Sequence, residues 1–189
     1  MTQVLNTQKK GSERDATARD QWKRYSESFH KYNKKSKYIK EPDWVLLNRI
    51  IDEHNIHTIL EFGSGLSTLL FASKGCLVTS YETNEQYLET VKKWILEEGF
   101  QKNIEYKTWD NKIIPDLNRS FDACLVDGEM NRLNQLLIAM KCGKYLFLHD
   151  NSQWQHEKFR FLKELPELGT TNLLKVRLNE TVGSGSRLH

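Results

Sequence analysis

Cysteine is scarce in this chain. Its three residues, Cys76, Cys124 and Cys142, lie far apart in sequence and form no Cys-x-x-Cys pair. That spacing excludes a disulfide framework and a zinc ligand set, and it reads as buried, reduced thiols of a cytoplasmic protein. Long apolar runs are missing too. None approaches the ~20 residues that cross a bilayer, and Met1–Lys10 is polar rather than a secretory leader, so no membrane partner is expected. There are no internal repeats. No Gly-Lys-Ser/Thr follows the main glycine turn, which excludes a lysine set to cradle a triphosphate. Gly65-Leu66-Ser67-Thr68-Leu69 lacks the closing glycine of a Gly-x-Ser-x-Gly nucleophile elbow, which argues against a hydrolase. The aromatic and basic strand pattern of RNA-binding sheets is also wanting.

What is present suits one soluble globular domain. The 189 residues are 38% apolar and 28% charged, enough for a sizeable core. The net charge of +3 is unevenly spread: residues 1–40 carry eleven Lys/Arg against four Asp/Glu. A basic arm on a slightly acidic body is either a solvated extension or an electrostatic grip on nucleic acid or an acidic substrate.

Residues 1–18 lack periodicity and are expected to be a disordered tail. Residues 19–40 read as a basic aromatic helix and linker: Trp22, Tyr25, Phe29 and Tyr32 recur at helical spacing on one face. Such a face docks on the domain's own core, or roofs a site as a lid. Residues 41–189 then alternate helix and strand. Pro42 opens a helix, and strands are expected at 58–61, 77–82, 104–108, 121–126, 145–148 and 173–178. Helices fall at 83–99, where Thr83-x-x-Gln86 suggests a capping box, and at 133–140 and 159–165. This pattern predicts an α/β fold: a Rossmann-like, doubly wound, mainly parallel sheet with helices on both faces.

The most informative stretch is Thr58–Thr68. A short strand breaks into Gly63-Ser64-Gly65, and an apolar helix follows. This is how an α/β sheet brings its backbone close to a nucleotide-like ligand. About twenty residues on, the second strand ends in Glu82, where such folds place an acid for ribose hydroxyls. The third glycine of the dinucleotide fingerprint is replaced by the hydroxyls of Ser67 and Thr68. Glu61 would repel a pyrophosphate but suits a sulfonium, which favours S-adenosylmethionine over NAD.

Glu61-Phe62-Gly63-Ser64-Gly65-Leu66-Ser67-Thr68, with Glu82, Val126-Asp127-Gly128 and Leu148-His149-Asp150-Asn151, resembles the class I S-adenosylmethionine-dependent methyltransferases over residues 41–178. The resemblance implies that Glu61, Gly63 and Gly65 line the methionine part of the cofactor. Ser67 and Thr68 would assist at the helix N-terminus, Glu82 would hold the ribose, and Trp109 and Asp110 would flank adenine. Asp127 would contact the cofactor or substrate.

Asp127, Asp150 and Asn151 also resemble the metal site of catechol O-methyltransferase-like enzymes, which implies Mg²⁺. His149 beside that set is a departure. Without a metal, His149 or Asp150 is the natural general base. The expected activity is methyl transfer to a small-molecule nucleophile, most readily an oxygen. The alternatives are a silent cofactor-binding scaffold and an RNA methyltransferase gripping through its basic arm. The family's C-terminal antiparallel hairpin is expected to be incomplete, because only Arg187-Leu188-His189 follow the Gly-Ser run.

Overall fold

The structure is a computed structural model that describes residues 2–33, 38–110, 118–128, 132–149 and 174–177, with side chains placed from residue 11 to residue 149 within them. Six strands form one sheet in the order β3-β2-β1-β4-β5-β6. These are β1 (Thr58–Phe62), β2 (Leu77–Glu82), β3 (Ile104–Thr108), β4 (Phe121–Val126), β5 (Gly143–Leu148) and β6 (Leu174–Arg177). The first five run parallel, and β6 pairs antiparallel with β5, Leu148 opposite Leu174.

Five helices complete the described fold: α1 (Thr2–Tyr32), α2 (Glu41–His54), α3 (Leu66–Ser73), α4 (Glu85–Glu98) and α5 (Arg132–Cys142). Central strands of a parallel sheet are covered on both faces, so their residues are apolar in near-continuous runs. One face buries Ile59, Val78, Leu125 and Phe147 against Phe29, Trp44, Leu69 and Trp94 of α1 to α4. The other buries Leu60, Phe62, Val126 and Leu148 against Leu136 and Ala139 of α5. The doubly wound fold is as the alternation predicts.

Two details differ from the sequence reading. Residues 1–18 were expected to be disordered, yet α1 begins at Thr2. Ala18 is buried, and Asp15 pairs with Arg49 of α2 at 2.7 Å. A helix nucleated by the aromatic stripe extends cheaply, because each further residue adds a hydrogen bond. The stripe itself docks on the core: Phe29 packs against Trp94 and Tyr38, and Trp22 Nε1 donates to the Ile39 carbonyl.

The cap of α4 is Asn84, whose Oδ1 accepts from Tyr87 N, rather than Thr83. Thr83 is instead drawn to the Glu82 carboxylate. Cys124 and Cys142, distant in sequence, meet at 3.9 Å between β4 and the end of α5, both as free thiols. The expected helix at 159–165 and the fate of a seventh strand lie outside the described residues.

Candidate active site

The strand order reverses between β1 and β4, and in open α/β sheets ligands bind beyond the carboxyl ends of the strands at that point. Gly63 ends β1 there with φ of +97°, a conformation that costs a side chain. Its N–H donates to the Tyr81 carbonyl at 2.8 Å. A Cβ on Gly63 would sit 3.1 Å from Gly128 N, so the β1 and β4 loops touch backbone to backbone. A Gly63→Ala protein is expected to lose about 1–3 kcal/mol from combined strain and crowding, read as a lower urea midpoint.

Glu61 is fully buried beneath this turn. Its carboxylate accepts from Ser67 Oγ and Thr68 Oγ1 at 2.5 Å, and from Ser80 Oγ of β2 at 2.9 Å. Ser80 spends its proton on Glu61, so Ser64 donates to Ser80 at 2.8 Å. Thr68 Oγ1 in turn accepts from Gly65 N. Burial pushes the Glu61 carboxyl up to about 7 against the pull of these hydroxyls, and Asp127 adds to the rise. Glu61, Ser67 and Thr68 thus tie β1, the turn, α3 and β2 together from within.

Glu82 stands above this network, half-buried. Oε2 accepts from Ser64 N at 3.1 Å, while Oε1 accepts from Thr83 N at 2.8 Å and Asn84 N at 2.9 Å. A carboxylate has about four lone-pair positions, so Oε2 keeps one for a hydroxyl donor. Glu61 and Glu82 thus adjoin through Ser64 and Ser80, one as support and the other at the surface. Gly65 is overhung by Tyr87 of α4 and Phe29 of α1, at 3.2 Å and 3.9 Å from its Cβ position. Trp109, buried, packs on Phe62 and Tyr81 at the end of β3, and Asp110 beside it is exposed.

At the ends of β4 and β5, Asp127 Oδ1 meets His149 Nδ1 at 2.7 Å. His149 Nε2 lies 3.8 Å from Asp43 Oδ2, a buried acid in the first turn of α2. Arg132, opening α5, donates to the His149 carbonyl at 2.9 Å and places a guanidinium nitrogen 4.0 Å from Asp127 Oδ1. The sequence reading missed Asp43, Arg132 and Ser80. Each carried a signal: an acid beside Pro42, a cation where the helix dipole disfavours one, and a small hydroxyl inside a buried strand.

Asp150 and Asn151 lie outside the described residues. Of the implied metal set only Asp127 is described, and its Oδ1 is engaged by His149 and faces a guanidinium. Among the described residues no three His, Cys, Asp or Glu cluster as a metal site, and none of the described helices is long and apolar enough to cross a membrane.

No protein-family model matches the sequence, and no curated protein does. Solved structures do match in fold. The O-methyltransferase TomG from Streptomyces achromogenes, solved with SAM, aligns at TM-score 0.62 and 15% identity, over 82% of this chain and 86% of that one. An O-methyltransferase from Bacillus cereus, solved with SAH, aligns at 0.60 and 16%, over 71% and 67%. The SAH-bound methyltransferase PaMTH1 from Podospora anserina aligns at 0.57 and 12%, over 69% and 63%. The chain spans 65% and 66% of two further matches, from Staphylococcus aureus and Klebsiella pneumoniae. The fold is that of the class I S-adenosylmethionine-dependent methyltransferases.

Proposed function

We propose that this chain binds S-adenosylmethionine at the carboxyl edge of its sheet and transfers the methyl group to an oxygen of a small molecule. One observation carries the reading. The glycine turn, the Glu82 carboxylate and the Asp127–His149 pair all converge where the strand order reverses. The likeness to O-methyltransferases solved with SAM or SAH supports it.

Gly63 and Gly65 would bring backbone close to the methionine part, Glu82 would accept from the ribose, and Trp109 and Asp110 would flank adenine. When bound, the cofactor supplies a methyl group already activated on sulfur. The chain's own work is then to orient the acceptor, exclude water and take up a proton. Asp127 is partly exposed, and only its Oδ1 is engaged among the described residues. Its Oδ2 would accept from the acceptor hydroxyl, and His149, touching the other oxygen, would relieve the pair of the proton. Phe29 and Tyr87 narrow the approach to the turn.

Calorimetry with S-adenosylmethionine and S-adenosylhomocysteine tests the reading. Heat from neither, with folded protein, would remove its basis. Glu82→Ala is expected to weaken binding of both by about 1–3 kcal/mol, because a charged acceptor is lost.

A further inference from the structure

A second recess lies at the opposite edge of the sheet from the glycine turn. It opens where α1 crosses α2 and α3, beside Lys74, which caps the far end of the helix that begins at the turn. Asp52, near the end of α2 and shortly before β1, lines the same recess. Its volume is about 610 Å³, within the roughly 300–1,000 Å³ of small-molecule sites.

Asn48 of α2 lines it and is only 5% exposed, yet its side-chain amide has no partner among the described residues. Neighbouring α2 residues Leu47, Ile50 and Ile51 are buried in the apolar core. Its polar atoms stay open to the recess, so a ligand group can take the place of water on them.

The charges around the recess balance. Arg14, Arg24 and Lys74 stand against Glu13, Asp20 and Asp52. Lys74 and Asp52 already pair at 2.8 Å, and Arg24 lies over the Tyr25 ring at 5.2 Å with a guanidinium nitrogen 3.9 Å from Glu98 outside the recess. Arg14, Glu13 and Asp20 form no ion pair among the described residues. A phosphate would meet as many carboxylates as cations, and a polyamine the reverse. A ligand carrying both signs fits the rim, and Asn48 can both donate to and accept from its polar middle.

We propose that this recess binds a small zwitterion, a free α-amino acid or a dipeptide. Its carboxylate turns to Arg14, its ammonium to Glu13 and Asp20, and its polar centre to Asn48. The ligand would clamp α1 onto α2 and α3, so binding raises the thermal midpoint of the full chain.

The test is a thermal-shift screen of individual L-amino acids and dipeptides, followed by calorimetry on any hit. It is run with saturating S-adenosylhomocysteine and repeated in the Glu82→Ala protein. Inorganic phosphate and putrescine serve as single-sign probes. The expected result is saturable binding of one or more zwitterions that persists in Glu82→Ala. That binding should weaken at least about tenfold in Asn48→Ala and in Arg14→Glu. Arg14 is exposed, so its variant folds even where loss of Asn48 proves harmful. Absence of any zwitterion binding overturns the proposal. So does equal binding of phosphate or putrescine, loss of binding in Glu82→Ala, or unchanged affinity in Arg14→Glu.

Discussion

For the proposed methyl transfer, replacing His149 with asparagine is expected to lower the rate by about 10²–10⁴-fold, the usual worth of a positioned proton acceptor. Binding of S-adenosylhomocysteine should be nearly unchanged. The expectation rests on the 2.7 Å contact between His149 Nδ1 and Asp127 Oδ1. Asparagine can keep a hydrogen bond to that oxygen but cannot take up a proton. Asp127→Asn should fall in the same range, because the amide no longer accepts through both oxygens. The two losses should not add, since the pair acts as one unit. Single-turnover assays with the acceptor identified from a panel of phenols and alcohols provide the check. A rate within about tenfold of the parent in both variants would end the assignment of this pair as the base. The thermal midpoint of each variant separates this from unfolding, because His149 is buried between Asp127 and Asp43.

Glu61→Ala is expected to be the most damaging single change to the fold. It leaves Ser67, Thr68 and Ser80 with buried hydroxyls lacking their acceptor and opens a void under the turn. The cost is about 3–4 kcal/mol, a large part of an ordinary domain's stability. Urea denaturation gives the number, and a loss below about 1 kcal/mol would show that the turn holds without this network.

Glu61→Gln isolates the charge. With the folded carboxyl at about 7 against an ordinary 4.5, the folded state keeps a proton that the unfolded chain releases. Its contribution is therefore fully present below about pH 4.5 and is lost as pH rises to about 7. The loss integrates to roughly 3 kcal/mol. Glu105, held down at about 2 by Lys107 and Arg119, titrates below that window. The parent should lose stability across the window, and Glu61→Gln should lose less. Equal slopes would mean that Glu61 is already ionised where the fold is most stable.

Phe62 shows why the topology was legible in the sequence while the site was legible only in part. Apolar alternation and strand length are local properties, and they dictate the sheet: β4 falls at 121–126 and β2 at 77–82 as expected. Glycine at 63 is likewise a local signal, because few other residues adopt its backbone. The direction of a side chain is not local. Glu61 precedes Phe62 in the strand and therefore points to the opposite face, into the layer of α3 and Ser80. Nothing in the linear order of a strand-end acid separates a lining group from a buried support.

By itself the sequence determined the alternating α/β order, the glycine turn and the row of polar groups at the strand ends. Those follow from periodicity and backbone preference within a few residues. Only the tertiary structure decided that Asp43, from the start of α2, would approach His149, or that Asn48 would end up in a recess roofed by α1. Both depend on how helices pack across the sheet, and packing is set by the summed contacts of distant segments.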